Sequence, residues 1–100
     1  MQETKVVNLR SEAYDMYIGR GSIFGNPYRI GKDDRQAVLA KYKEYFYKRV
    51  NIDMVFKNAV LNLKGKVLGC YCKPLACHGD IIIEYLENAF AIRGERSIDA

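Results

Sequence analysis

Lys66-Val67-Leu68-Gly69-Cys70-Tyr71-Cys72-Lys73-Pro74-Leu75-Ala76-Cys77-His78-Gly79-Asp80 holds a strand, a turn and a helix start in one run, and it decides the fold. Residues 66–72 are the strongest strand of the chain, apolar and ending on cysteines. A short Lys-Pro-Leu-Ala turn follows. A helix then starts near residues 78–80, with Ile82, Tyr85, Leu86 and Ala89 on one face. Upstream, Asp53 can cap a helix that buries Val55, Phe56, Ala59, Val60 and Leu63 and that Gly65 stops. Asp33-Asp34 supplies the same cap to an earlier helix running to about Val50. Its stripe is Val38, Leu39, Tyr42, Tyr45, Phe46 and Arg49, with Lys41, Lys43, Glu44 and Lys48 mostly outside it. Residues 5–9 and 14–19 read as two further strands. Past Arg93 the sequence turns polar and the last helix is expected to fray.

Helices between strands predict an α/β fold: one layered domain over residues 1–100, its ordered core about 5–92. Its small mixed sheet has about three to four strands, with about three helices, and is partly parallel where a helix makes the crossover. In such sheets ligands collect at the carboxyl ends of the strands. Two unusual segments, residues 17–31 and 69–80, each follow a predicted strand directly. They are therefore expected to face one pocket.

Composition narrows the function. The chain has 100 residues, of which 49% are hydrophobic, enough for one core. Eight tyrosines and no tryptophan suit half-buried walls. Sixteen basic and twelve acidic residues leave a net charge of +4, which favours anionic partners. The charges alternate in sign and form no basic stripe, so a nucleic-acid partner is not expected. The first ten residues lack the apolar core of a signal peptide. No apolar run approaches the roughly 18 residues of a membrane span. Three cysteines crowded into eight positions make a poor disulfide framework, and they point to thiol or ligand chemistry in a reducing cytoplasm.

The cysteine-histidine run allows four readings. Cys70, Cys72, Cys77 and His78 make up a Cys3His zinc set. Spacing weighs against it: on a strand, Cys70 and Cys72 sit roughly 7 Å apart, from a rise of about 3.3 Å per residue. Nucleophilic catalysis would use Cys77 or His78 at the helix N-terminus, where N–H groups and the dipole favour a thiolate, with Asp80 as partner to His78. Anion binding would use the same N–H groups with Lys73 and His78. The plainest alternative has Cys70 and Cys72 as small core residues, with His78 and Asp80 capping the helix.

Gly19-Arg20-Gly21-Ser22-Ile23-Phe24-Gly25-Asn26-Pro27 matches neither the P-loop nor the dinucleotide template, since its G-x-G-x-x-x-G spacing misses the latter by one residue. Arg20 and Arg29 can clamp a phosphate or carboxylate. Ser22 and the N–H groups beside Gly21 can add donors. Tyr17 and Phe24 offer flat faces for a ring, and Asn26 an amide to read its edge. A plain strand connection would instead pack Phe24 inward.

At these two segments the chain resembles the domain of unknown function 4326 family, small proteins of bacteria, archaea and especially phages. The resemblance rests on Tyr17-Ile18-Gly19-Arg20-Gly21-Ser22, Gly25-Asn26-Pro27, Gly69-Cys70-Tyr71-Cys72-Lys73-Pro74-Leu75 and Cys77-His78-Gly79-Asp80, and it spans about Val6 to Leu86. Ile23-Phe24 departs from the family's frequent charged residue and Trp. The resemblance implies a phage or prokaryotic setting and supplies no catalytic residues.

Two classes of function follow. The first is a phage-type binding module, expected to be a homo-oligomer in the host cytoplasm. It would hold a nucleotide-derived anionic small molecule, such as a host immune signal, and so act as an anti-defence sponge. Its site would comprise Tyr17, Arg20, Gly21, Ser22, Phe24, Asn26, Arg29, Cys70, Cys72, Lys73 and His78. The second is an enzyme acting on a nucleotide, nucleoside or NAD-like substrate through Cys77, His78 and Asp80. Neither class requires a cofactor.

Overall fold

A computed structural model describes residues 3–28, 34–71, 73 and 77–99. Its elements in chain order are β1 (Lys5–Asn8), β2 (Met16–Tyr17), α1 (Arg35–Ile52), α2 (Met54–Leu61), β3 (Val67–Cys70) and α3 (His78–Asp99). The strongest strand of the sequence becomes the centre of the sheet. The strand order is β1-β3-β2 and both pairings are parallel, with Val6 and Met16 each opposite Leu68. Three helices on a three-stranded sheet give the small α/β domain that the periodicities predict.

Alternation along β3 separates two faces. Leu68 and Cys70 point into the helical layer and are 0% and 1% exposed. Gly69, between them, faces the other way, where a Cβ would meet the Tyr14 ring at 2.7 Å. The segment joining β1 to β2 therefore crosses the sheet over a position that has no side chain.

Helix α1 starts on Asp34, whose side chain accepts a hydrogen bond from the Ala37 N–H at 2.7 Å, satisfying an otherwise unpaired donor. Val38, Tyr42, Phe46 and Val50, four residues apart, form its fully buried ridge. Leu39 and Tyr45 are half-buried beside it. Asp53 then serves both helices. Its backbone N–H closes α1 on the Arg49 carbonyl at 2.8 Å, and its carboxylate caps α2 through the Phe56 N–H at 3.1 Å. That N–H bond leads the effects holding the exposed Asp53 carboxyl below its ordinary value, and Arg49 at 3.5 Å acts in the same sense.

Helix α2 ends at Leu61, earlier than Gly65 alone suggests. Gly65 instead completes the turn into β3 with φ +83° while its N–H donates to Thr4 Oγ1 at 2.6 Å. Helix α3 packs its first turn directly on the sheet: a Cβ at Gly79 would lie 2.8 Å from both Val6 Cγ2 and Ile18 Cδ1. The helix continues to Asp99, past the Arg93 where fraying is expected.

The core is aromatic as well as aliphatic. Tyr42, Phe46, Phe56 and Phe24 are buried in it with Ile18, Leu68, Ile82 and Leu86. Phe46 meets Phe56 edge-on at 5.7 Å and Tyr85 at 5.6 Å, tying α1 to α2 and α3.

Candidate functional site

The carboxyl ends of β2 and β3 open into a cavity of about 220 Å³ between the glycine-rich loop, the first turn of α1 and the start of α3. It is smaller than the roughly 300–1,000 Å³ of common drug-sized sites. Its wall contains Tyr17, Gly19, Arg20 and Asn26 from the first segment and Cys70, Tyr71, Cys77 and His78 from the second. Residues more than 40 positions apart in sequence thus share one wall because their strands are neighbours in the sheet.

The glycine-rich segment folds into consecutive turns. Ser22 N–H and Gly25 N–H donate to the Gly19 and Ser22 carbonyls, each at 3.1 Å. The Ser22 hydroxyl also donates to Gly19, at 2.7 Å, so it braces the loop. Asn26 Oδ1 accepts from the Tyr28 N–H at 2.8 Å, and the residue lines the cavity. Tyr17 donates its hydroxyl to the Arg20 carbonyl at 2.8 Å and sets its ring edge-on to Tyr71 at 6.4 Å.

His78 is 6% exposed. Its Nε2 lies 2.7 Å from the Ile18 carbonyl, which can only accept, so Nε2 carries the proton and Nδ1 is the free lone pair. Nδ1 stands 3.7 Å from Cys77 Sγ. Burial foremost, with Arg20 in the same sense, holds the imidazole below its ordinary value. The Ile18 carbonyl and Asp80 oppose that shift. The ring meets Tyr42 edge-on at 5.2 Å, and the Tyr42 hydroxyl donates to the Phe24 carbonyl at 2.9 Å. Burial drives the Tyr42 phenol well above its ordinary value, so it remains a donor. One α1 side chain therefore braces both halves of the site.

Several expected site residues lie elsewhere. Phe24 is 5% exposed and packs on Phe56 at 6.2 Å, so its ring belongs to the core and not to the cavity wall. Gly21 and Ser22 line a more open groove on the outer side of the loop, with Tyr45 and Arg49. Lys73 turns to Asp80 in an ion pair, and its carbonyl accepts from Asn8 Nδ2 at 2.7 Å. Asp80 caps α3 by accepting from the Cys77 N–H at 3.1 Å. The bond from His78 that Asp80 was expected to take goes to the Ile18 carbonyl. The N–H groups at the start of α3 have internal partners as well: Gly79 donates to Cys77 Sγ at 3.3 Å and Asp80 to the Cys77 carbonyl at 2.9 Å. The helix terminus is thus occupied by its own chain, and the cationic groups of the wall come from elsewhere. Arg29 and Cys72 fall outside the described residues.

Besides Tyr28, which lies within the 17–31 segment expected to face the pocket, the wall contains Arg35, Val38 and Leu39, which the sequence reading did not place there. Their signal is the first turns of a capped helix that follows the loop, a position that opens toward the pocket only once the layers have packed. Among the described residues no group of three His, Cys, Asp or Glu side chains is arranged to hold a metal. The Cys70 and Cys77 sulfurs are 3.0 Å apart, closer than the roughly 3.8 Å between two thiolates on one tetrahedral zinc with bonds of about 2.3 Å. No described helix is long and apolar enough to cross a membrane.

Fold and cavity together define a class: a small parallel α/β domain with a pocket at the carboxyl ends of its strands. The chain belongs to the family described as Domain of unknown function (DUF4326), which residues 1–88 match. A protein of Enterobacteria phage T4, named "Uncharacterized 12.4 kDa protein in nrdA-td intergenic region", is 38% identical over 88 residues, covering 86% of this chain and 80% of its own length. No solved structure matches the chain.

Proposed function

We infer that the chain captures a small anionic molecule carrying a flat ring, of nucleotide-derived chemistry, and releases it unchanged. The observation that carries this reading is the makeup of one wall: Arg20 and Arg35 beside Tyr17, Tyr28 and Tyr71, with Asn26 between loop and cavity. Guanidinium groups suit phosphate or carboxylate, tyrosine rings suit a base, and an amide suits its polar edge. The net charge of +4 favours such a ligand at long range. The phage T4 relative supports a phage setting, in which the ligand would be a signal made by the host cell and the site of action its cytoplasm. A homo-oligomer is part of this reading. Ile52, Met54 and Val55 at the α1–α2 junction are 76%, 69% and 79% exposed, and they suit a contact between copies.

A second reading, an enzyme acting on the same ligand class, is favoured by one feature. Cys77 Sγ and His78 Nδ1 are 3.7 Å apart, and the imidazole is oriented from behind by the Ile18 carbonyl. One experiment separates the two. Purified protein is exposed to an extract of phage-infected cells and denatured, and the released small molecules are identified by mass spectrometry. Capture predicts an intact nucleotide-type anion, lost in Arg20→Ala. An altered product that disappears in Cys77→Ser would establish the enzyme instead.

A further inference from the structure

One close contact between reactive side chains in the cavity wall plays no part in the capture reading. Cys70 closes β3 and Cys77 precedes α3, seven positions on, and their sulfurs face each other at 3.0 Å. A disulfide bond is about 2.05 Å long, so bonding needs the sulfurs to approach by only about 1 Å. Both residues are 1% exposed, yet both line the cavity, so a small reagent reaches them and a bulky one does not. The two sulfurs are not equivalent. Cys77 Sγ accepts the Gly79 N–H at 3.3 Å, stands 3.7 Å from the unprotonated Nδ1 of His78, and sits at the N-terminus of α3. These contacts set an N–H donor and a proton acceptor at the Cys77 sulfur.

We propose that Cys70 and Cys77 form a peroxide-reactive dithiol, with Cys77 the attacking sulfur, His78 its proton acceptor and Cys70 the resolving thiol. In the first step Cys77 sulfur attacks one oxygen of hydrogen peroxide. The O–O bond breaks and an S–O bond forms, while His78 Nδ1 takes the thiol proton and passes it to the departing hydroxide as water. Cys77 is then a sulfenic acid. In the second step Cys70 sulfur attacks Cys77 sulfur, the S–O bond breaks, and the hydroxide leaves as water with the Cys70 proton. Two thiols lose two electrons and two hydrogens, and one peroxide becomes two waters. In a reducing compartment such a bridge is transient, the usual form of an intracellular disulfide. The chemistry needs no ligand in the cavity, so its failure leaves the capture reading untouched.

The test is intact-mass spectrometry of the reduced full-length chain titrated with hydrogen peroxide, in the wild type and in Cys72→Ser. Both are expected to lose the mass of two hydrogens and to regain it with dithiothreitol, and fragmentation should place the bridge between residues 70 and 77. Adding Cys70→Ser to Cys72→Ser should leave a sulfenic acid on Cys77, read as the gain of one oxygen that dithiothreitol reverses. Oxygen uptake by Cys72→Ser without hydrogen loss would overturn the proposal, as would a wild-type bridge that includes Cys72. The Cys72→Ser result decides the matter even where loss of Cys70 prevents folding.

Discussion

Tyr42 holds the Phe24 carbonyl at 2.9 Å and meets His78 edge-on at 5.2 Å, both inside the core. Tyr42→Phe keeps the ring and removes the donor, leaving a buried carbonyl without its partner. That penalty is about 1–3 kcal/mol, and urea denaturation should register it as a lower midpoint with an unchanged slope. His78 gives a second, pH-dependent signature. Its folded value lies below the ordinary 6.5, so the unfolded chain takes up the proton first. The stability from the neutral buried ring is complete above about pH 6.5 and falls as acid carries the solution below it, by at most about 1.4 kcal/mol per pH unit. Denaturation midpoints measured between about pH 7.5 and 5 should show this slope in the wild type and lose it in His78→Gln. At this scale the sequence was only partly legible. Tyr17, Arg20, Asn26, Cys70, Cys77 and His78 were identifiable because polar and reactive side chains clustered after predicted strands. Phe24 was read as a ligand face because a loop aromatic looks the same whether it turns out or in. What turned it inward was Phe56, more than thirty positions away.

The helices and the central strand were legible from periodicity, because each buries one face against a single layer, although Val55, expected inward on α2, is 79% exposed while Phe56 and Val60 form its buried face. Asp34 and Asp53 announced the two helix starts, since a carboxylate before an apolar-periodic run meets unpaired N–H groups. Strand β2 was less legible. Alternation from residue 14 suggested six positions, but the paired positions are Met16 and Tyr17, flanked by Asp15 and Ile18 N–H bonds to β3, before Gly19 and the following turns lift the chain from the sheet. The seating of α3 was not legible at all, since it depends on what lies under Gly79. Gly79→Ala tests it. Alanine is favoured in helices by up to about 1 kcal/mol. Here its methyl would press on Val6 and Ile18 at 2.8 Å, and overpacking of that kind costs about 1–3 kcal/mol. Packing should win. The variant is expected to lose about 1 kcal/mol in chemical denaturation, and a gain in stability would show that α3 can slide on the sheet.

The whole molecule places its chemistry where a parallel sheet exposes strand ends, so the location of the site followed from topology once the two segments were known to follow strands. Arg35 escaped the sequence reading for the converse reason, since its place on the wall depends on how α1 crosses the sheet. The strand order β1-β3-β2 carries a consequence for how the protein comes into being on the ribosome. Among the described residues β1 and β2 pair only with β3: Lys5 waits for Val67, and Met16 for Leu68. A nascent chain that stops short of residue 66 has two strands with no mate and half a pocket with no other side. A fragment of residues 1–65 should accordingly show helical circular dichroism from α1 and α2 but no cooperative thermal transition. Synthesis must reach Cys70 before the sheet can close, and the strand that closes it also brings the second wall of the pocket into place.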